Sequence, residues 1–128
     1  LSRIMLAVKT VLAETDDIST LIFDEIDTGI SGRTAQMVSE KLRVIARSHQ
    51  VICITHLPQI AAMADSHFEI RKSVEEGRTT TTIRPLDREQ MTEELARLLG
   101  GAEITETVRQ NAREMKELAD GKKGLAVR

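Results

Sequence analysis

A short apolar run that ends in two adjacent acids most constrains how this 128-residue chain can fold. Residues 20–23 read Thr-Leu-Ile-Phe and are followed at once by Asp24 and Glu25. Such a run predicts a strand that is buried on both faces, as in a parallel sheet. Polar side chains directly after a strand of this kind lie at the sheet edge where α/β proteins bind ligands. The run therefore predicts an α/β fold with a candidate site at residues 24 and 25.

The following residues complete a strand–helix–strand–helix unit. Ser31 is predicted to cap a helix whose apolar residues recur at spacings of three and four. These residues are Ala35, Val38, Leu42 and Ile45. Residues 51–55 form a second apolar strand, His56 follows it directly, and Pro58 suits the first turn of a short helix through residue 64. The order of elements predicts parallel core strands joined by a crossover helix.

The pattern changes after residue 64. Phe68 and Ile70 alternate with polar residues, and residues 79–83 are all β-branched. Together with a turn at Glu76-Gly77, these features predict a β-hairpin with a solvated face.

Two C-terminal helices are predicted after the hairpin. Asp87 and Gln90 approximate a capping box at the start of the first helix, which is expected to stop at Gly100-Gly101. The second helix carries one apolar stripe and is expected to fray at residues 121–124. The stripe consists of Ile104, Val108, Ala112, Met115 and Leu118.

The composition excludes several classes of protein. Two Phe without Tyr or Trp leave little surface on which bases could stack, which argues against single-strand binding by this chain. The net charge of −2 is unlike that of a self-sufficient DNA-binding domain. The single cysteine, Cys53, excludes an internal disulfide and is predicted to be a buried, inert thiol. No stretch approaches the ~18 apolar residues of a membrane span, so the expected location is cytoplasmic.

Three polar side chains are predicted to converge at one edge of the sheet: Asp24, Glu25 and His56. The first carboxylate could hold Mg²⁺ through its waters, and the second could orient or deprotonate an attacking water. Phosphoryl transfer needs little beyond such positioning and charge neutralisation. Alternatively, the acids merely end a strand and the histidine is structural. The convergence of all three on one rim favours an active site.

Two segments carry a family resemblance. Residues 20–32 resemble the Walker B strand and D-loop of ABC ATPases, and Thr55-His56 resembles their switch histidine. Ile26 stands where transport ATPases usually carry Pro. Residues 24–32 (DEIDTGISG) and 55–61 (THLPQIA) instead resemble bacterial SMC-like ABC ATPases that act in DNA double-strand break repair and recombination.

The resemblance implies a role for each matching residue. Asp24 would be the carboxylate that holds Mg²⁺, and Glu25 would be the general base. His56 would contact the γ-phosphate of ATP and help to place the attacking water. Asp27 and Ser31 of the D-loop segment would contribute to nucleotide binding, with Asp27 communicating across a dimer of two heads that sandwich ATP. The implied cofactors are ATP and Mg²⁺, and the implied fold is the C-terminal half of a P-loop NTPase head.

The chain also departs from a complete ATPase. No Gly-x-x-x-x-Gly-Lys-Ser/Thr loop occurs, so most of the phosphate-binding energy is missing. The signature core and the coiled-coil arms of such proteins are missing too. We therefore expect residues 1–128 to form a single partial domain that is inactive alone. Its expected partners are the missing N-terminal half, a second head and, through the parent protein, DNA at the nucleoid, with no membrane.

The helical pattern of residues 1–13 begins abruptly, which indicates a truncated polypeptide. Its apolar side consists of Ile4, Leu6, Ala7, Val11 and Leu12. A missing neighbouring strand would expose a sheet edge. We therefore expect the chain to self-associate or to be held by its missing half.

Two other interpretations stay open at the level of sequence. One is the head of another SMC-like or ABC ATPase, and the other is a non-enzymatic interaction module whose acids only decorate its surface. Basic residues cluster around the predicted hairpin: Arg71, Lys72, Arg78, Arg84 and Arg88. They would either contact DNA phosphates or act as solvated charges that protect a sheet edge, and the second alternative is favoured.

Overall fold

The computed structural model describes residues 2–12, 17–75 and 77–125, which form two compact units divided between Met63 and Ala64. The first unit contains α1 (Ser2–Leu12), β1 (Thr20–Phe23), α2 (Gly32–Ile45), β2 (Gln50–Cys53) and α3 (Pro58–Ala62). The second contains β3 (His67–Glu75), β4 (Arg78–Leu86), α4 (Arg88–Gly100) and α5 (Glu106–Leu125). The predicted mixture of helices with parallel and antiparallel strands is confirmed. The assignment of residues 1–128 to one partial domain stays a prediction.

β1 and β2 pair in parallel, with Phe23 opposite Cys53. The backbone N–H of Ile54 then donates to the carbonyl of Phe23 at 2.9 Å, which extends the ladder by one bond. The parallel pairing and the crossover through α2 confirm the predicted strand–helix–strand unit. The second strand was predicted at residues 51–55 but spans Gln50–Cys53, so Thr55 and His56 lie in the following loop.

The helices of the first unit contribute to a single core on one face of this sheet. That core contains Leu6, Phe23, Ile26, Val38, Leu42, Ile45 and Ile60. On the opposite face, the cross-strand neighbours Ile22 and Ile52 are 68% and 45% exposed. The prediction that both strands are buried on both faces is therefore wrong for this chain, because its packing covers only one face.

The helices of the first unit begin largely where the sequence predicts. In α2 the predicted apolar stripe is buried, and Ser31 occupies the N-cap position but makes no side-chain capping hydrogen bond. α3 begins at Pro58 as predicted but ends at Ala62. Residues 1 and 13 of the predicted first helix lie outside the described residues. Within α1, Leu6 is buried, whereas Ile4 and Val11 are exposed, so its apolar side is only partly covered.

β3 and β4 form the predicted hairpin, in antiparallel register from His67 opposite Leu86 to Glu75 opposite Arg78. At the turn, Gly77 has a φ of +76°, which favours glycine. Glu76 of the predicted turn lies outside the described residues. The apolar side chains of one face are all more than half exposed: Phe68, Ile70, Val74 and Ile83. Both faces of the hairpin therefore reach solvent.

The predicted capping box of α4 is present. The Asp87 carboxylate accepts from Gln90 N at 2.8 Å, and the Gln90 side chain accepts from Asp87 N at 3.0 Å. Each partner satisfies a backbone donor that the helix leaves unpaired. α4 ends at Gly100, as predicted.

α5 differs from its prediction in three respects. It begins at Glu106, so Ile104 lies before the helix. It continues to Leu125, so the predicted fraying at residues 121–124 is wrong. The buried stripe passes through Ala112 and Ala119, whereas Leu118 is 69% exposed. The seven-residue spacing from Ala112 brings Ala119 back to the same helix face after two turns. None of the helices in the described part of the chain is long and apolar enough to cross a membrane.

Candidate functional site

The predicted site residues follow the carboxyl ends of β1 and β2. β1 leads directly into Asp24 and Glu25, and β2 leads through Ile54 into Thr55 and His56. Because the two strands are parallel and in register at their ends, both loops leave the sheet at the same edge. Asp24, Glu25 and His56 are all exposed there. The structure thus brings the predicted residues to one rim of the first unit.

Glu25 has an unusual backbone conformation. Its φ is 55°, and among the described residues it is the only non-glycine residue with a positive φ. This left-handed conformation costs an L-residue roughly 1–2 kcal/mol. The next residue, Ile26, is fully buried, and Thr28 N donates to the Glu25 carbonyl at 3.3 Å, so the surrounding turn holds the strained residue in place. Strain of this kind clusters at functional sites.

Asp27 connects the two loops. It is only 3% exposed, and its Oδ2 atom accepts from Thr55 Oγ1 at 2.6 Å and from His56 N at 2.9 Å. The same oxygen lies 2.9 Å from Nδ1 of His56. One buried carboxylate oxygen therefore joins the loop after β1 to the loop after β2.

The pKa of Asp27 lies below its ordinary value of 3.8. Burial by itself raises this pKa, but several favourable interactions with the ionised form together outweigh it. They are the hydrogen bonds from the Thr55 hydroxyl, from His56 N and from its own backbone N–H, with the charge of His56 adding to them. Asp27 is therefore ionised at neutral pH and acts only as a hydrogen-bond acceptor.

The sequence presents Thr55 only as the residue before His56, yet Thr55 is central to the contacts between the two loops. Its hydroxyl donates to Asp27 and accepts from Leu57 N at 3.0 Å. Leu57 is the N-cap residue of α3, so the contact also sets where that helix begins. Asp27 and Thr55 are 28 positions apart, and no local pattern indicates that they meet.

Cys53 lies half-buried at the end of β2. Burial, followed by the charges of Asp27 and Asp24, raises the pKa of its thiol to about 11. The thiol is therefore protonated at neutral pH and a poor nucleophile, although it is half-buried and not fully buried as predicted.

The carboxylates at this edge provide oxygen donors of the kind that Mg²⁺ takes. Among the described residues, no group of three or more His, Cys, Asp or Glu side chains could hold a metal ion. Mg²⁺, however, is commonly bound through one or two carboxylates, with waters and substrate phosphates completing its shell. The exposed carboxylate of Asp24 fits Mg²⁺ that arrives with a nucleotide. The predicted roles of Asp24, Glu25, Asp27, Ser31 and His56 stay predictions.

Three of the five residues in the basic cluster of the second unit share one face of the hairpin: Arg71, Arg78 and Arg84. Glu69 accepts from Arg71 at 2.7 Å and from Arg84 at 2.6 Å, and these bonds hold its pKa below the ordinary range. Lys72 is adjacent to Arg71 in the strand and therefore points to the opposite face. Because Glu69 pairs with two of the arginines, the arrangement favours solvated surface charges over one phosphate-binding patch.

Comparisons with known proteins show which proteins this chain is homologous to. No protein-family model matches the chain. It is 46% identical over 120 residues to the DNA repair protein RecN of Bacillus subtilis (strain 168) and 50% identical over 119 residues to that of Halalkalibacterium halodurans. RecN of Vibrio cholerae is 47% identical over 115 residues. These alignments cover 94%, 93% and 90% of this chain but 21% of each relative, so the chain spans about a fifth of the length of the curated relatives it matches. Identity at this level over nearly all of its residues shows that the chain is homologous to a segment of RecN, about a fifth of that protein's length.

Proposed function

We propose that this chain supplies the ATP-hydrolysis residues of an SMC-like ATPase head that acts in DNA double-strand break repair and recombination. The relatives' name, DNA repair protein, supports the repair role. One structural observation carries the chemical part of the proposal. Asp27 holds the loops after β1 and β2 together, so that Asp24 and Glu25 share an edge with His56.

Each residue at this edge has a proposed task. ATP and Mg²⁺ would supply the reacting phosphoryl group and the neutralising charge. Asp24 would hold the ion, and Glu25 would accept a proton from the attacking water. His56 would contact the γ-phosphate, and Ser31, at the start of α2, would lie close to the nucleotide and the second head.

The head would be completed by parts outside this chain. The 128 residues contain no phosphate-binding loop, and Ile22, Ile52 and Ile54 leave one sheet face exposed. Parallel sheets are normally covered on both faces. We propose that the N-terminal half of the same head packs here and supplies the loop, that a second head closes over the ATP, and that the whole protein engages DNA at the nucleoid. Alone, the chain would not turn over ATP.

The test is Mg²⁺-dependent ATP turnover by the chain alone and mixed with the N-terminal half of the head. We expect turnover only in the mixture. Glu25→Gln should lower it by roughly 100-fold or more, the usual effect of removing a general base, while ATP binding persists. Glu103→Gln, which neutralises an exposed acid elsewhere in the chain, serves as the matched control and should leave turnover unchanged.

Two outcomes would contradict the proposal. If the Glu25→Gln mixture hydrolysed ATP at the unsubstituted rate, Glu25 would not be the base. If a folded, associated mixture were inactive, the acids would be structural and the chain would be better described as an interaction module.

A further inference from the structure

The ring of His56 is held at one nitrogen although most of the side chain reaches solvent. Its side chain is 74% exposed, whereas that of its neighbour Asp27 is 4% exposed. Nδ1 of His56 and the backbone N–H of the same residue both lie 2.9 Å from Oδ2 of Asp27. A single buried oxygen therefore restrains both the peptide and the ring of an exposed residue.

The chemistry of the two partners determines which ring nitrogen carries the proton. An ionised carboxylate has no proton to donate and repels a lone pair, so this 2.9 Å contact favours a proton on Nδ1. In a neutral imidazole, the other nitrogen, Nε2, is then an acceptor. Turning the ring over would place a C–H group against the carboxylate and lose the charge contact at 2.9 Å.

Asp27 is itself oriented by its surroundings. The Thr55 hydroxyl donates to the same Oδ2 atom at 2.6 Å, and Thr55 is in turn held by Leu57 N at 3.0 Å. The order of contacts runs from the start of α3 through Thr55 and Asp27 to His56. An imidazole oriented by a third group in this way is a recurring feature of catalytic sites.

We propose that Asp27 is a positioning residue that fixes the orientation and the Nδ1-protonated tautomer of His56, so that Nε2 is presented to the nucleotide. Only the proposed contact between Nε2 and the nucleotide rests on the proposed function. The tautomer follows from the contacts with Asp27.

This arrangement has a consequence for each charge state of the ring. Neutral His56 presents a lone pair at Nε2 that accepts a hydrogen bond from water. Protonated His56 presents an N–H at Nε2 that donates to a phosphate oxygen. In both states a protonated Nδ1 faces the Asp27 carboxylate, so the ring does not need to reorient when its charge changes. Preorganisation of this kind removes an ordering cost from the reaction.

The test is nitrogen NMR of the imidazole rings in the complete 128-residue chain, with ¹⁵N-labelled histidine and without nucleotide. We expect neutral His56 to be protonated mainly at Nδ1, unlike the histidine of a short Thr-His-Leu-Pro peptide. In Asp27→Asn, the ratio of the Nδ1-protonated tautomer of His56 to the Nε2-protonated tautomer should fall by roughly fivefold. The reason is that an uncharged amide can donate as well as accept, so it no longer favours a proton on Nδ1. His49 and His67 provide internal references and should not change.

Thr55→Val is the matched control. It removes one donor to Asp27 but keeps the carboxylate, so it should lower stability while His56 keeps its tautomer. The proposal is overturned if wild-type His56 resembles the peptide, or if Asp27→Asn leaves the tautomer unchanged. It is also overturned if Thr55→Val changes the tautomer as much as Asp27→Asn, since Asp27 would then act only through the fold. None of these results depends on ATP turnover, so failure of the proposed function can be distinguished from failure of this inference.

Discussion

The parallel strand pair β1–β2 and the antiparallel pair β3–β4 are stabilised in different ways. β1–β2 joins distant parts of the chain through four register pairs, starting with Thr20 opposite Gln50. β3–β4 joins neighbouring segments through nine register pairs. Beyond the end of β1–β2, the buried carboxylate of Asp27 accepts from the loop after β2. On β3–β4, the acid Glu69 pairs with two arginines on the surface.

The difference explains why the candidate site lies in the first unit. A hairpin forms from residues that are already close along the chain, and surface ion pairs add little to it. A parallel pair can form only when a crossover connection brings distant residues together. That same step brings residues 24–27 next to residues 55–56, so the fold of the first unit and the geometry of its site depend on the same contacts.

The largest expected effect is that of Asp27→Ala. Thr55 and His56 would each lose a charged acceptor in a buried place, so we expect the first unit to lose about 3 kcal/mol of unfolding free energy. The measurement is urea unfolding, monitored through hydrogen exchange of the β1 and β2 amides. These amides report on the first unit alone, which matters because the two units need not unfold together. Glu69→Ala is the control in the hairpin and should cause a much smaller loss. Equal losses would contradict the contrast between the two strand pairs.

The second prediction concerns the stability of the first unit at acid pH. Because the pKa of Asp27 is lower in the folded chain than its ordinary 3.8, its stabilisation is complete above that value and is lost as the pH falls below it. The urea midpoint of the β1 and β2 amide signals should thus be flat near neutral pH and fall at acid pH. Asp27→Asn should remove this dependence.

Salt should separate the acid responses of the two units. Glu69 also has a lowered pKa, but its arginine partners are solvent-exposed. Its contribution should therefore weaken in about 0.5 M salt, because exposed pairs are screened. The contribution of buried Asp27 should persist. An acid response of the first unit that disappeared in salt would show that its contacts are not buried in solution.

The smallest predicted effect compares two left-handed positions. Glu25→Gly relieves a cost of roughly 1–2 kcal/mol but adds unfolded-state entropy, so we expect a net gain of roughly 0.5–1 kcal/mol. Gly77→Ala in the hairpin turn should lose about 1 kcal/mol, although its new Cβ would meet no atom within 4 Å. Thermal unfolding of both variants is the measurement. A loss in Glu25→Gly would mean that the Glu25 side chain stabilises the loop by more than its backbone strain costs.

Local patterns predicted most elements correctly, because each depends on neighbours in the chain. The stripe of α2, the hairpin and the capping box of Asp87 with Gln90 all follow from spacings of two to four residues. The wrong predictions concern which side chains are buried and where secondary-structure elements end. Ile22 is exposed although its strand is apolar throughout, and α5 continues past its predicted end. Whether a face is covered depends on what packs against it, which a local pattern does not contain.

At the candidate site, the order of residues along the chain was enough to place Asp24, Glu25 and His56 at one sheet edge, since parallel strands end on the same side. The relationship to RecN likewise follows from the sequence alone. Three features could be seen only in the tertiary structure. They are the contacts of Asp27 with Thr55 and His56, the left-handed backbone of Glu25 and the exposed sheet face. They arise between residues far apart in sequence or from the balance of a whole turn, and the free energies that select them are properties of the folded chain.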